Sequence, residues 1–312
     1  MFHVLYTLNP TDSPNARAGK HPRLGALLRS DSGGFACLHP WPELGDDSLK
    51  HELAALREGH PLRLGARALR CMELDGKARR EGKNLFENLT IPRSHATLLS
   101  STSLATADTL NQRGFRTGKL KLPPNLKAAA RRLITIAAAL PEWSWRLDFN
   151  ATLTHEETLK FWFMLPETLR DRIDFIEDPC TCSVKSWRAL QNAGIPLACD
   201  MPPPHHSSIS SCIPARCIVK PARDHIVDGR PIFTSYMDHP LGQLWAAYCA
   251  AFHYRNTATE DVPVCGLVTQ HVYQPHAFSI ALGLYIKPEL VSPPGTGLGF
   301  DEMLENLPWK RL

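Results

Sequence analysis

A chain of 312 residues, 43% hydrophobic and 21% charged, has an ordinary globular composition and is long enough for a large core and two domains. Its formal net charge of +4 is small for this length, and no dense Lys/Arg run with interleaved aromatics occurs, so no nucleic-acid partner is expected. No window nears about eighteen uninterrupted apolar residues, which argues against a membrane span.

Met1 to Pro10 lacks a basic stretch followed by an apolar one, so a secretion leader is not expected. The nine cysteines are an odd, scattered set, with Cys199, Cys217 and Cys249 inside predicted strands or helices. That pattern fits reduced, buried thiols in a cytoplasmic protein. The close pair Cys180-Thr181-Cys182 has no second pair at zinc-finger spacing.

In chain order, Phe2 to Leu8 is strand-like, and Asn9 to Pro22 reads as a long loop. Leu24 to Leu38 suggests a hairpin turning at Ser32-Gly33-Gly34. Asp47 to Leu56 and Leu64 to Arg79 have helical spacing. Strands followed by helices make residues 1–94 an α+β region. From residue 95 the rhythm alternates. Strands are predicted at His95–Ser100, Thr117–Leu122, Trp143–Asn150, Ile173–Glu177, Pro196–Asp200, Cys217–Lys220, Ile232–Tyr236 and Val268–Tyr273. Helices fall between most of them, with a capping box at Thr154-His155-Glu156-Glu157 opening one and Asp238 and Pro240 opening another. Eight strands alternating with helices suggest a β/α barrel over 95–285. An open doubly wound sheet competes, but no Gly-x-Gly-x-x-Gly turn follows a strand. Gly295-Thr296-Gly297-Leu298-Gly299 reads as a flexible return loop, and the tail 286–312 is expected to pack on the N-terminal region.

Alternation in Thr117-Gly118-Lys119-Leu120-Lys121-Leu122 puts Lys119 and Lys121 on one face. Like charges side by side lower each other's pKa, and enclosure lowers it further, so one lysine can act as a base near neutrality. Lysine on a strand is also a common guard of a solvated edge. Four further strands end in charge: Asp148, Glu177, Asp200 and Lys220. Active sites of β/α barrels form at those strand ends. Three converging carboxylates need a cation, and oxygen-only ligands suit Mg²⁺. Any one of these acids could simply cap a helix; the ordered set has no such structural explanation.

These motifs (Lys119-Leu120-Lys121, Arg146-Leu147-Asp148-Phe149-Asn150, Phe175-Ile176-Glu177-Asp178-Pro179, Ala198-Cys199-Asp200, Ile218-Val219-Lys220-Pro221 and Leu241-Gly242) together resemble the enolase superfamily, in its muconate-lactonizing-enzyme-like branch. Within the branch the chain is most similar to the o-succinylbenzoate synthases, a choice that the tail Gly297–Asp301 and the short N-terminal region support. The resemblance implies a (β/α)7β barrel with an α+β capping domain formed by residues 1–94 and the tail 286–312. It implies a syn-dehydration of a cyclohexadiene carboxylate (SHCHC) to o-succinylbenzoate, a step of menaquinone synthesis. Asp148, Glu177 and Asp200 would hold Mg²⁺, with Mn²⁺ as a substitute, and the metal would bind the substrate carboxylate. Lys121 would take the proton α to that carboxylate and return it to the departing hydroxyl. Lys220 would sit across the ring and offer cation–π stabilisation, and Lys119 would keep the pKa of Lys121 low.

Arg146 and Asn150 share the face of Asp148 and are candidates for substrate contact, with an ion-pair role equally open for Arg146. Ser235 is a further candidate, although Thr234-Ser235-Tyr236-Met237 is less serine-rich than in many relatives. His205 and His206, in a Pro-, His- and Ser-rich loop, could reach the site or lie in solvent. Arg17, Lys20 and Arg23 could bring positive charge over an anionic substrate, or be surface charge. A lysine on each side also suits racemases and epimerases. Val268 to Pro288 contains no Asp or Glu to hold an ammonium, which leaves N-succinylamino acid racemase as the runner-up. The expected partner is a small carboxylate; oligomeric state is not readable, and a monomer is compatible.

Overall fold

A computed structural model describes residues 1–14, 19–200 and 216–312. Alternation makes the first strand, β1 (Phe2–Leu8), which pairs antiparallel with β2 (Arg23–Arg29), and β2 with β3 (Phe35–Leu38). Tyr6 stands opposite Gly25, where a Cβ would lie 2.3 Å from the tyrosine ring, so glycine there lets Tyr6 lie flat on the sheet. Ser48 caps α1 (Leu49–Arg57). Helix α2 (Arg63–Arg80) buries Leu64, Ala68, Cys71, Met72 and Asp75 at helical spacing against this sheet.

Seven parallel strands follow, hydrogen-bonded in chain order. They are β4 (Ala96–Leu98), β5 (Thr117–Lys121), β6 (Ser144–Asp148), β7 (Ile173–Glu177), β8 (Leu197–Cys199), β9 (Arg216–Val219) and β10 (Ile232–Phe233). Helices α3 (Leu104–Gln112), α4 (Leu126–Ala139), α5 (His155–Met164), α6 (Glu167–Arg170) and α7 (Val184–Asn192) intervene up to β8. The expected Thr154 capping box at α5 is formed. Helix α8 (Pro240–His253) follows β10 and is buried from Pro240 to Ala251. It lies within a core that runs from β2, β3 and α2 into the layer between strands and helices.

The eighth stave differs from expectation. It is the short segment Cys265-Gly266, bridging Ser94 on one side and Thr234 on the other. The Cys265 and Gly266 amides donate to Arg93 O at 2.7 Å and Phe233 O at 2.8 Å. Val268–Tyr273 is not a strand; Gln270–Val272 is a 3₁₀ turn. Its apolar alternation is real, but closing a barrel requires a backbone in register with both neighbours, and the chain has already met that requirement at Gly266.

The tail adds α9 (Ala277–Leu282), α10 (Asp301–Glu305) and β11 (Lys310–Arg311), and β11 pairs with β1. The glycine-rich return loop is tied down rather than flexible. The Asp75 carboxylate accepts the amides of Leu298 at 2.7 Å and Phe35 at 2.8 Å. Arg79 pairs with Asp75 and Asp301 and donates to Gly299 O at 2.9 Å. Among the described residues no helix is long and apolar enough to cross a membrane.

Candidate active site

Strand register sets the charged layer. Lys121 pairs with Asp148, and Asp148 with Glu177, as Cα partners across β5, β6 and β7. Asp200 follows β8, and Lys220 follows β9. The five side chains therefore form an arc with Lys121 at one end and Lys220 at the other. Two indoles set the first strand of that arc: at Gly118 a Cβ would lie 2.9 Å from Trp145 and 3.0 Å from Trp143. Turns after the strands are tight. Asn150, Ala151 and Asp178 have positive φ without being glycine, and the Asn150 amide donates to Asp148 Oδ1 at 3.0 Å. Strain of this kind persists where surrounding structure enforces it.

Lys119 Nζ bridges Glu177 Oε1 at 2.5 Å and Asp148 Oδ2 at 3.1 Å. Lys121 Nζ lies 2.8 Å from Asp148 Oδ2. Lys220 pairs with Asp200, which Arg223 also holds at 2.9 Å. Burial penalises Asp148, but Lys119 and Lys121 overcome it and hold the acid far below the ordinary carboxylate range. Asp200 behaves likewise: burial is outweighed by Arg223 and Lys220. Glu177 goes up, because burial and the neighbouring acids exceed the help from Lys119.

The two lysines of β5 diverge. Burial lowers Lys121, and Lys119 adds to that, so its pKa falls. For Lys119 the burial penalty is outweighed by Asp148, Glu177 and Asp200, and its pKa rises. The expectation that each lowers the other is thus corrected for Lys119, which touches two carboxylates rather than one.

A cavity of about 510 Å³, its mouth included, opens on Lys119, Lys121, Lys220, Asn150 and Ser235. Arg146 is not in its wall. It is buried one step toward the foot of the barrel, with Nε 2.8 Å from Asp174 and Nη1 3.0 Å from His95 Nδ1. Ser235 Oγ bonds Thr269 Oγ1 at 2.7 Å. Arg23 is buried too. It pairs with Glu43 and lies 4.7 Å over the Trp41 ring, bracing the cap rather than facing the cavity. Lys20 is exposed, and Arg17, His205 and His206 lie outside the described residues.

Sequence reasoning looked to the first loop for the cap's contribution and missed the residues that line the cavity. Trp41 and Leu44 line the cavity. Trp41 Nε1 donates to Tyr236 O at 2.9 Å, and Tyr236 Oη donates to Asp46 at 2.7 Å. An aromatic between two prolines, Pro40-Trp41-Pro42, is a signal for a rigidly presented ring. Arg223, three residues past Lys220, had no signal beyond its charge. His95, Thr97, Tyr236, Met237 and Thr269 also line the cavity.

Among the described residues no group of three or more His, Cys, Asp or Glu side chains stands ready to hold a metal ion. An ammonium bridges Asp148 and Glu177 instead. The donor set nonetheless fits a hard cation: all three acids offer carboxylate oxygens, and Glu177 Oε2 is buried with no hydrogen-bond partner among the described residues.

The N-terminal domain model of o-succinylbenzoate synthase matches residues 1–78. Over 325 aligned residues the chain is 32% identical to an o-succinylbenzoate synthase of Bdellovibrio bacteriovorus, covering 98% of this chain and 97% of that one. Among solved structures, a muconate lactonizing enzyme of Mycobacterium smegmatis complexed with muconolactone superposes with a TM-score of 0.76 at 14% identity, covering 97% of each chain. A dipeptide epimerase of Enterococcus faecalis, complexed with Mg and a dipeptide, gives 0.74 at 14% identity over 95% of this chain and 97% of that one. These likenesses show the fold alone, whereas the relative that is similar from end to end shows the family: the chain belongs to the o-succinylbenzoate synthases, on a fold that it shares with these muconate lactonizing enzyme and dipeptide epimerase structures.

Proposed function

We propose that the protein catalyses the metal-dependent syn-dehydration of SHCHC to o-succinylbenzoate, with Lys121 as the base and later the acid. The observation that carries this is the arc itself: Lys121 and Lys220 line one cavity from opposite ends of Asp148, Glu177 and Asp200. Those acids would hold Mg²⁺, with Mn²⁺ as a substitute, and the bound ion would polarise the substrate carboxylate and acidify the adjacent C–H bond. Lys121, the lysine whose pKa is lowered, takes that proton. Held on the same face, its ammonium then protonates the hydroxyl, which leaves as water while the ring becomes aromatic. Lys220 supplies positive charge across the ring. Lys119, tied to two acids, keeps its proton and holds Lys121 low. Asn150 and Ser235 contact substrate from the cavity wall, whereas Arg146 acts from outside it.

The division into a cap (1–94), a barrel (95–285) and a returning tail (286–312) follows from this reading, with the chemistry in the barrel and closure from the cap. Free thiols at Cys37, Cys71, Cys180, Cys182, Cys199, Cys217, Cys249 and Cys265 support a reducing, cytoplasmic setting. The test is an ultraviolet assay of purified protein with SHCHC and Mg²⁺, with and without EDTA. Metal-dependent loss of the diene absorbance is expected. A folded protein without turnover would sink the dehydratase reading. Two flanking lysines also suit 1,1-proton transfer, so α-proton exchange of N-succinylamino acids in deuterated water would then be followed.

A further inference from the structure

We propose that His95 is a specificity-determining hydrogen-bond donor in the active-site cavity, its Nε2–H set by Arg146 and turned to an oxygen of the substrate's succinyl arm. This deepens the o-succinylbenzoate synthase reading and rests on it.

The tautomer follows from geometry. Arg146 Nη1 lies 3.0 Å from His95 Nδ1. A guanidinium has donors only, so Nδ1 must accept, and the proton of the neutral ring is on Nε2. Burial first, then the charges of Arg146, Lys119 and Lys121, keep the ring neutral. Arg146 is itself held by Asp174 at 2.8 Å and stacks 4.9 Å from Phe175, so the lock does not swing.

Beyond Arg146, His95's side chain has no hydrogen-bond partner among the described residues. Its ring lines the cavity beside Thr97, Thr234 and Gly266. A Cβ at position 266 would lie 2.9 Å from His95 Nε2 and 2.8 Å from Thr234 Cγ2, so the glycine makes room for both side chains on one patch of wall. Thr234 presents its methyl to this patch, and its Oγ1 is buried with no hydrogen-bond partner among the described residues. A donor that lines the cavity with no acceptor in the protein marks where an acceptor oxygen of the ligand belongs. The reacting carboxylate belongs with the acids that would hold the metal. The oxygens left over for this patch are those of the succinyl arm, a ketone and a second carboxylate.

The experiment measures binding of o-succinylbenzoate and of benzoate, which lacks the arm, alongside KM and kcat for SHCHC. His95→Leu removes the donor, His95→Gln keeps an N–H at the Nε2 position, and circular dichroism checks the fold of each. Expected for His95→Leu is a loss of o-succinylbenzoate affinity and a rise in KM of about 10- to 100-fold, with kcat within a few-fold of wild type and benzoate binding unchanged. His95→Gln should recover most of the loss. Arg146→Met should raise KM in the same direction, and Arg146→Lys, which keeps a donor to Nδ1, should restore it. Wild-type binding with equal binding by a folded His95→Leu would overturn the inference alone. A wild type that neither binds o-succinylbenzoate nor turns over SHCHC would overturn the underlying reading, and this inference with it. If His95→Leu fails to fold, the comparison passes to His95→Gln and the Arg146 pair, where a loss in Arg146→Met that Arg146→Lys does not restore overturns the tautomer lock.

Discussion

Lys119 and Lys121 sit two residues apart on one face of one strand, equally enclosed, yet differ in what they can do. The difference is in partners: Lys119 touches two carboxylates and Lys121 one. Its carboxylates raise the pKa of the first against the effect of burial, whereas burial and the neighbouring lysine lower that of the second. Lys121→Ala should therefore abolish turnover, by about 10³-fold or more, while far-ultraviolet circular dichroism and the melting temperature stay close to wild type. Substantial remaining activity would remove Lys121 from its role. Glu177→Gln keeps the size of the side chain and removes its charge. The metal concentration for half-maximal activity should rise about 10- to 100-fold in a titration of the chelator-treated enzyme. An unshifted titration would mean that Glu177 is no ligand.

At the scale of elements, β5 was legible because its alternation is strict, and Gly118 within it has a job that the sequence does not show. The Trp143 and Trp145 indoles occupy the space of its missing side chain. Gly118→Ala should cost about 1–3 kcal/mol in denaturant unfolding and lower activity, since the strand can only yield by moving Lys119 and Lys121. A neutral substitution would show that the indoles give way freely. The eighth stave was misplaced for the opposite reason. Val268–Tyr273 has strand-like composition, but Cys265-Gly266 meets both neighbouring strands first. Propensity is a property of the segment, whereas register is a property of its neighbours.

At the scale of the molecule, the cap meets the barrel over a buried acid, Asp238. Neither of its oxygens has a well-formed hydrogen bond among the described residues, and burial, only partly offset by nearby backbone amides, pushes its pKa up to about 7. Tyr6, Cys37 and Tyr273 feel its charge. A raised folded-state pKa means that the folded protein holds this proton more tightly than the unfolded chain. The stabilisation is complete below the ordinary aspartate value of 3.8 and is lost as pH rises through about 7. Buried His39, lowered to about 3 by burial and Arg23, works in the other direction, so the informative quantity is the difference between variant and wild type. Asp238→Asn should be more stable than wild type at pH 8, by up to about 4 kcal/mol, with the gain shrinking as pH falls toward 4. A pH-independent difference in urea unfolding would mean that Asp238 does not titrate in this window.

Alternation, helix spacing, caps and the order of charged strand ends were all readable from the residues, because each depends on near neighbours in the chain. So were the barrel, the cap and the arc from Lys121 to Lys220. Contacts between distant segments were not. Trp41 reaches Tyr236 across 195 positions, and Arg146 shares the face of Asp148 but turns to Asp174 and His95. Asp75 holds a return loop that looked flexible from its glycines. A strand determines which side a residue faces; the depth at which it lies, and what waits there, is decided only when the barrel closes and the cap settles on it.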